Sequence, residues 1–252
     1  RKQQGMHYTS PENIHKLIDP LFLEELRDTL AGILAEPHSE ARTQKLREFQ
    51  DRLAALKFLD PACGSGNFLT ESFISLRRLE NQIIAAIPEH DRPDPKVSIT
   101  QFHGIESHDF AVNVAKTALW ISDHQMWKET QNITDTHTSP LPLKEYEGIE
   151  EGDALRADLL LTGWRVPHDD MLYIMGNPPF LGYSQQNKAQ KDEVKLYFGK
   201  AKSDYVSCWF WKAAELVSKD KSIKAAFVAT NSIIQGEQPA YVFKVILERF
   251  PI

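Results

Sequence analysis

The chain has 252 residues, with 29 Lys and Arg against 35 Asp and Glu and a formal net charge of −6. That length suffices for one large α/β domain, or one with a small appendage, and no run of ~18 apolar residues marks a transmembrane helix. The acidic balance argues against this segment alone gripping a long stretch of DNA, although basic residues lining one cleft, or another domain, can supply that grip.

In chain order, Arg1 to Gly5 lacks the apolar stretch of a signal peptide, and a start without Met leads us to expect an excised fragment. Residues 12–57 form a predicted helical flank. Thr9 or Ser10 caps a helix entered through Pro11, with Ile14, Leu17, Ile18, Leu21, Phe22 and Leu26 at helical spacing. A second amphipathic stretch after Pro37 carries Leu46, Phe49, Leu53 and Leu56. Phe58-Leu59 ends a short strand, Asp60 to Gly66 is a turn and Phe68 to Ile87 a helix. A Pro-rich loop (Pro88 to Pro95) precedes a strand over Ile99 to Ile105 and a helix over Ala111 to Met126. Residues 127–170 are loop-rich. Then come a strand over Met171 to Met175, a loop from Gly176, a helix over Val206 to Ser218, a strand over Ala225 to Ala229 and a last helix near Tyr241 to Arg249. This alternation predicts a doubly wound, mostly parallel α/β sheet. Residues 1–57 read as its flank and 58–252 as its core.

Asp60-Pro61-Ala62-Cys63-Gly64-Ser65-Gly66-Asn67-Phe68 falls where a strand meets a helix. Glycines permit a tight turn and close approach of a ligand, and the following helix N-terminus offers free N–H groups and positive dipole. The third glycine of a dinucleotide fingerprint and the Gly-Lys-Ser/Thr of a phosphate loop are both missing, which weakens NAD or ATP as the ligand. An ordinary tight turn is the plain alternative. Two further acids favour a nucleoside pocket: Glu106 follows a strand and can accept from ribose hydroxyls, and Asp153 follows another turn and can accept from an adenine amine.

Met171 to Met175 leads into Gly176-Asn177-Pro178-Pro179-Phe180. Two prolines remove backbone donors and fix φ, stiffening the corner. The Asn177 side-chain carbonyl and the Pro178 backbone carbonyl make an acceptor pair for both hydrogens of an exocyclic amine. A sulfonium methyl donor is already reactive, so placement matters more than a strong base. Phe180 offers a face for base stacking, worth ~1–3 kcal/mol. A rigid turn with a core Phe is the alternative reading.

Together these two segments resemble the amino-methylating DNA methyltransferases of the γ order. The resemblance implies a Rossmann-like, seven-stranded-type sheet, S-adenosylmethionine as cofactor, and transfer of its methyl group to the N6 amine of an adenine flipped out of double-stranded DNA. Tyr8-Thr9-Ser10, within His7 to Pro11, is similar to the motif lining the methionine end of the cofactor. The implied cofactor-binding residues are Tyr8, Thr9, Ser10, Asp60, Ala62, Gly64, Gly66, Phe68, Glu106, Asp153 and Asn177, and the catalytic ones Asn177, Pro178, Pro179 and Phe180. Asp204-Tyr205 resembles a pocket-wall motif. Tyr8 to Ile14, Ile18 to Phe22 and Ala229 to Gln238 resemble the MmeI-like type IIG/IIL restriction–modification enzymes. In that branch a nuclease domain precedes and a target-recognition domain follows the methyltransferase, so residues 58–252 are expected to hold an incomplete core. The expected compartment is the cytoplasm, with no membrane partner.

Protein-glutamine and cytosine-amine methyltransferases use similar corners; Phe180 and the upstream Tyr8 to Pro11 favour DNA, and Asn177 favours adenine. A cofactor-free DNA-recognition module is the non-enzymatic alternative. His7, His103, His108 and His124 are scattered, so no metal site is expected, and Cys63 and Cys208 lack the spacing of a metal or disulfide framework. At least one of Trp209, Phe210 and Trp211 should be core. Lys188, Lys191, Lys195, Lys200 and Lys202 lie on a stretch read as loop, where contact with phosphates and simple solvation stand as equal readings.

Overall fold

The computed structural model describes residues 9–134, 146–157, 171–200, 202–236 and 238–252. His7 and Tyr8 lie outside them. The described elements are α1 (Pro11–Ile18), a π-helical turn (Asp19–Leu23), α2 (Glu24–Leu34), α3 (Glu40–Ala55), β1 (Lys57–Asp60), α4 (Asn67–Ala86), β2 (Phe102–Glu106), α5 (Asp109–Thr134), β3 (Ile149–Glu151), β4 (Leu172–Gly176), α6 (Lys188–Phe198), α7 (Ser207–Lys219), β5 (Ile223–Phe227) and α8 (Gln238–Arg249). Five strands pair in the order β3-β2-β1-β4-β5, all parallel. The expected class, a parallel doubly wound α/β sheet, is the one observed; five strands are present among the described residues.

Alternate strand residues feed two layers, as a period of two demands. Phe58, Phe102 and Tyr173 face the layer of α1 to α5, where Phe58 stacks on Phe102 with centroids 4.6 Å apart and Phe22 packs edge-on against Phe58 at 5.0 Å. Leu59, Ile105 and Ile174 face the other way, with Leu216 of α7. Leu26, Leu46, Phe49 and Leu53 of the helical flank belong to the same buried cluster as Phe58, Phe102 and Tyr173.

The helical flank is not one continuous helix. Pro20 brings no N–H, and the ladder loosens into the π turn at that point. Ser39 restarts it, accepting from the Arg42 N–H at 3.2 Å. His15 binds Asp19 at 2.8 Å and Glu71 of α4 at 3.0 Å, tying α1 to the helix that follows the glycine turn.

Four sequence expectations change. Ile99 to Gln101 is a 3-10 turn rather than the start of a strand: Ser98 and Gln101 form a capping box, and the Gln101 amide donates to the carbonyls of Leu53 and Leu56. α5 runs on to Thr134, into the stretch read as loop, and that stretch also contains β3. α6 replaces a predicted loop, opened by an Asn187–Gln190 capping box and seated by Val194 and Phe198. Leu17 and Leu21, assigned to the buried stripe, are only partly covered. No helix of the described residues is long and apolar enough to cross a membrane.

Candidate active site

From β1 the chain proceeds to β2 on one side, and from β4 to β5 on the other. The carboxyl ends of these neighbouring strands therefore bound a crevice at the switch point of the sheet, where open α/β sheets bind ligands.

On the β1 side stands the glycine turn. Gly64 has φ +54° and Gly66 +80°, conformations that a Cβ disfavours. Gly64 faces open space, whereas a Cβ on Gly66 would meet Ala115 of α5 at 3.0 Å. Gly66 thus seats the turn against α5, and Gly64 leaves room above it. The Cys63 N–H donates to the Ile105 carbonyl at 3.0 Å and the Gly64 N–H to Glu106 Oε2 at 3.0 Å. Asp60 is 1 % exposed and accepts from the Ala62 N–H at 3.0 Å. Burial raises its carboxyl to about 7; the Ala62 N–H works against this rise and the Glu106 charge adds to it.

Asp60 ends β1 and Glu106 ends β2, while Asp153 stands two residues beyond β3. The row of acids on successive strand ends is thus present. Glu106 also accepts from the N–H of His108 at 3.1 Å and pairs with its ring at 3.0 Å. Asp153 accepts from the Leu155 N–H and pairs with Arg156 at 3.2 Å, so it is braced in place on a partly open rim.

On the β4 side, Gly176 is followed by the Asn-Pro-Pro-Phe corner. Pro178 is buried, Pro179 exposed, and Asn177 and Phe180 partly covered. Asn177 Nδ2 donates to the Thr9 hydroxyl at 3.1 Å. Its Oδ1 is buried and has no hydrogen-bond partner among the described residues. Asp204 Oδ1 accepts from the N–H groups of Leu181 and Val206, and the Tyr205 N–H donates to the Leu181 carbonyl, clamping the chain just after Phe180. The Trp209 indole donates to the Pro61 carbonyl at 3.3 Å, joining α7 to the glycine turn.

A cavity of about 790 Å³ opens beside the corner. Thr9, Asn177 and Phe180 line it together with Leu17 and Leu21, and Phe227 to Ala229 form another wall. Asp60, Gly64, Glu106 and Asp153 do not line it. The predicted site residues are therefore gathered on one edge of the sheet in two neighbouring groups, the glycine turn with its acids and the corner with Thr9. Ser10 lies at the start of α1 and Phe68 is buried in the first turn of α4; Ala62 lies in the turn. Tyr8 lies outside the described residues.

Three features carry no expectation from the sequence: the bond of the Thr9 hydroxyl to the Asn177 amide, the π turn as a cavity wall, and the brace of Trp209 on Pro61. Only the last carried a local signal, an indole N–H in an apolar helix that needs an acceptor. Trp209, Phe210 and Trp211 all pack within the layer of α6 to α8. Burial pushes the Cys63 thiol well up, with the charges of Asp60 and Glu106 adding, so it is an inert packing group. Burial, with Lys57 adding, lowers His103 to about 4.

Comparison with known proteins agrees with this architecture. The family described as "MmeI, DNA-methyltransferase domain" matches residues 36–251. "DNA methyltransferase A" of Bacillus subtilis (strain 168) is 38 % identical over 260 aligned positions, covering 98 % of this chain and 28 % of the relative. A putative type II restriction enzyme and methyltransferase of Methanocaldococcus jannaschii is 29 % identical over 143 positions, 48 % of this chain and 12 % of its own. The solved type IIL restriction–modification enzyme MmeI in complex with DNA superposes with a TM-score of 0.85 at 35 % identity, over 96 % of this chain and 32 % of that one. This chain thus spans about a third or less of each of these relatives. With the switch-point crevice, the glycine turn and the Asn-Pro-Pro-Phe corner in one fold, the chain belongs to the MmeI DNA-methyltransferase-domain family.

Proposed function

We propose that the chain is the catalytic domain of a DNA adenine methyltransferase, using S-adenosylmethionine to modify the N6 amine of a base flipped out of duplex DNA, as the modification part of a restriction–modification protein. One observation carries this reading: the Asn177 carbonyl oxygen is a buried acceptor with no partner among the described residues, on an amide whose nitrogen is already engaged by Thr9. Leaving such a group unmet costs ~1–3 kcal/mol, and an incoming –NH₂ would satisfy it.

The cofactor would supply a methyl group on a cationic sulfur. Gly64 leaves open space over the turn, as a cofactor lying there requires. Asp60, Ala62, Gly66 and Phe68 would hold the turn that receives it, Phe68 from the buried side of α4. Tyr8, Thr9 and Ser10 would attend the cofactor's methionine end, Glu106 would accept from its ribose hydroxyls and Asp153 from its adenine amine. At the acceptor end, Asn177 and the Pro178 carbonyl hold the target amine, with lone pair turned toward the crevice, while Phe180 stacks on the base and the prolines keep the corner from relaxing. Residues 1–57 serve as the flank and 58–252 as the catalytic core, with DNA sequence recognition assigned to other parts of the parent protein, in the cytoplasm.

The test uses the protein, labelled cofactor and duplex DNA, followed by digestion to nucleosides. N6-methyladenine is the expected product, and Asn177→Ala is expected to lower turnover by ~10²-fold or more. Wild-type turnover in that variant overturns the assigned role; label on a cytosine amine or a protein glutamine moves the acceptor.

A further inference from the structure

Five lysines follow the catalytic corner: Lys188, Lys191 and Lys195 on α6, then Lys200 and Lys202. Among the described residues none of them has a carboxylate within ion-pair distance, whereas Lys45, Lys96, Lys219, Lys224 and Lys244 each have one. Lys16, Lys57, Lys116, Lys128, Lys212 and Lys221 also lack one among the described residues, but they are scattered, whereas these five fall together within residues 188–202.

Two of the five converge. Lys191 Nζ lies 5.1 Å and Lys202 Nζ 5.8 Å from the centroid of the same ring, Tyr183. Each ammonium gains from the ring's electron-rich face, but bringing two like charges to one ring costs repulsion unless an anion joins them. The neighbouring acids do not serve as that anion. Glu193 is held by Arg156 and by the Tyr205 hydroxyl, Asp204 accepts from two backbone N–H groups, and Asp192 points to solvent without an ion pair to either lysine.

The platform is also stiff and well placed. Tyr183 is three residues beyond Phe180, in a loop pinned by Asp204 and by the Gln186 amide, which donates to the carbonyls of Leu181 and Ser203. It therefore belongs to the braced loop by which the chain leaves the corner. We propose that Lys191, Lys202 and Tyr183 form a phosphate-binding platform that seats the backbone of duplex DNA beside the catalytic corner, with Lys188 and Lys195 extending it along α6. This inference rests on the proposed reading of the corner as a DNA-modifying site and says which surface meets the duplex.

The test measures KM for duplex DNA and the slope of log affinity against log salt, with the protein carrying Lys191→Ala and Lys202→Ala together. Loss of two phosphate contacts is expected to lower the slope by about 2 and to raise KM ~10- to 100-fold at ~0.15 M salt. Lys191→Arg with Lys202→Arg is expected to keep the slope, and the paired, exposed Lys45 and Lys219 are expected to be indifferent to alanine. A double alanine variant with wild-type slope and KM overturns the platform alone. All variants are made in the full-length parent protein, and its failure, unsubstituted, to bind duplex DNA at any salt overturns the functional reading and the platform together.

Discussion

The backbone of Gly176 lies so close to the Asp60 carboxylate that a Cβ at position 176 would stand 2.3 Å from Oδ1. This contact packs the carboxyl end of β4 against that of β1. Asp60 is fully buried and hydrogen-bonded, so it cannot swing away cheaply. Gly176→Ala is therefore expected to destabilise the protein by about 3 kcal/mol or more, read as a fall in urea midpoint. Gly32 is the contrast: it lies exposed within α2 with nothing near its missing Cβ, and Gly32→Ala should stabilise by up to ~1 kcal/mol. Equal effects at the two glycines would refute the steric account.

The Thr9 hydroxyl fixes which way the Asn177 amide points. Thr9→Val keeps the shape and removes the acceptor, so turnover is expected to fall ~10- to 100-fold through misorientation of the Asn177 carbonyl. Thr9→Ser should restore most of it. Steady-state kinetics with both variants checks this, and a valine variant as fast as the serine one would exclude the orienting role.

Asp60 makes stability depend on pH in an unusual direction. Its carboxyl, ordinarily at 3.8, is raised to about 7 by burial, so between these values the folded chain holds a proton that the unfolded chain has released. That proton favours folding at low pH, and its contribution declines as pH rises from about 4 through about 7. Asp60→Asn, which retains an acceptor for the Ala62 N–H, should flatten the profile in that window. Denaturation midpoints across the range measure it; an unchanged slope in the variant would assign the dependence to another group.

Trp209 offers a separation of packing from hydrogen bonding. Trp209→Phe keeps an aromatic body and loses the bond to the Pro61 carbonyl, with an expected cost of ~1 kcal/mol. Trp209→Ala also opens a void beside Tyr205 and should cost ~3–5 kcal/mol. Thermal unfolding distinguishes them, and a phenylalanine variant as unstable as the alanine one would locate the effect in the hydrogen bond and leave none to packing.

What could be read beforehand was local. The bend from Asp60 to Gly66 and the corner from Asn177 to Phe180 announce themselves because glycine and proline act on their own backbone, and βα alternation then implies a parallel sheet. α6 has no legible stripe because it buries only Val194 and Phe198, while Leu196 faces solvent among the lysines. The 3-10 turn at Ile99 was hidden by apolar alternation that outweighed a capping box. The Thr9–Asn177 contact joins residues 168 positions apart, a relationship created by the sheet order and by the helical flank sharing its core.

The links from Pro61 to Trp209, from Val206 through Asp204 to Leu181, and from Tyr205 directly to Leu181 have a mechanical meaning. The N-terminal end of α7 works as a strut whose two fittings are the glycine bend and the chain behind Phe180. The gap between the two halves of the site is thereby set by the seating of one helix instead of by two independently wandering loops. A tilt of that strut would displace both fittings at once.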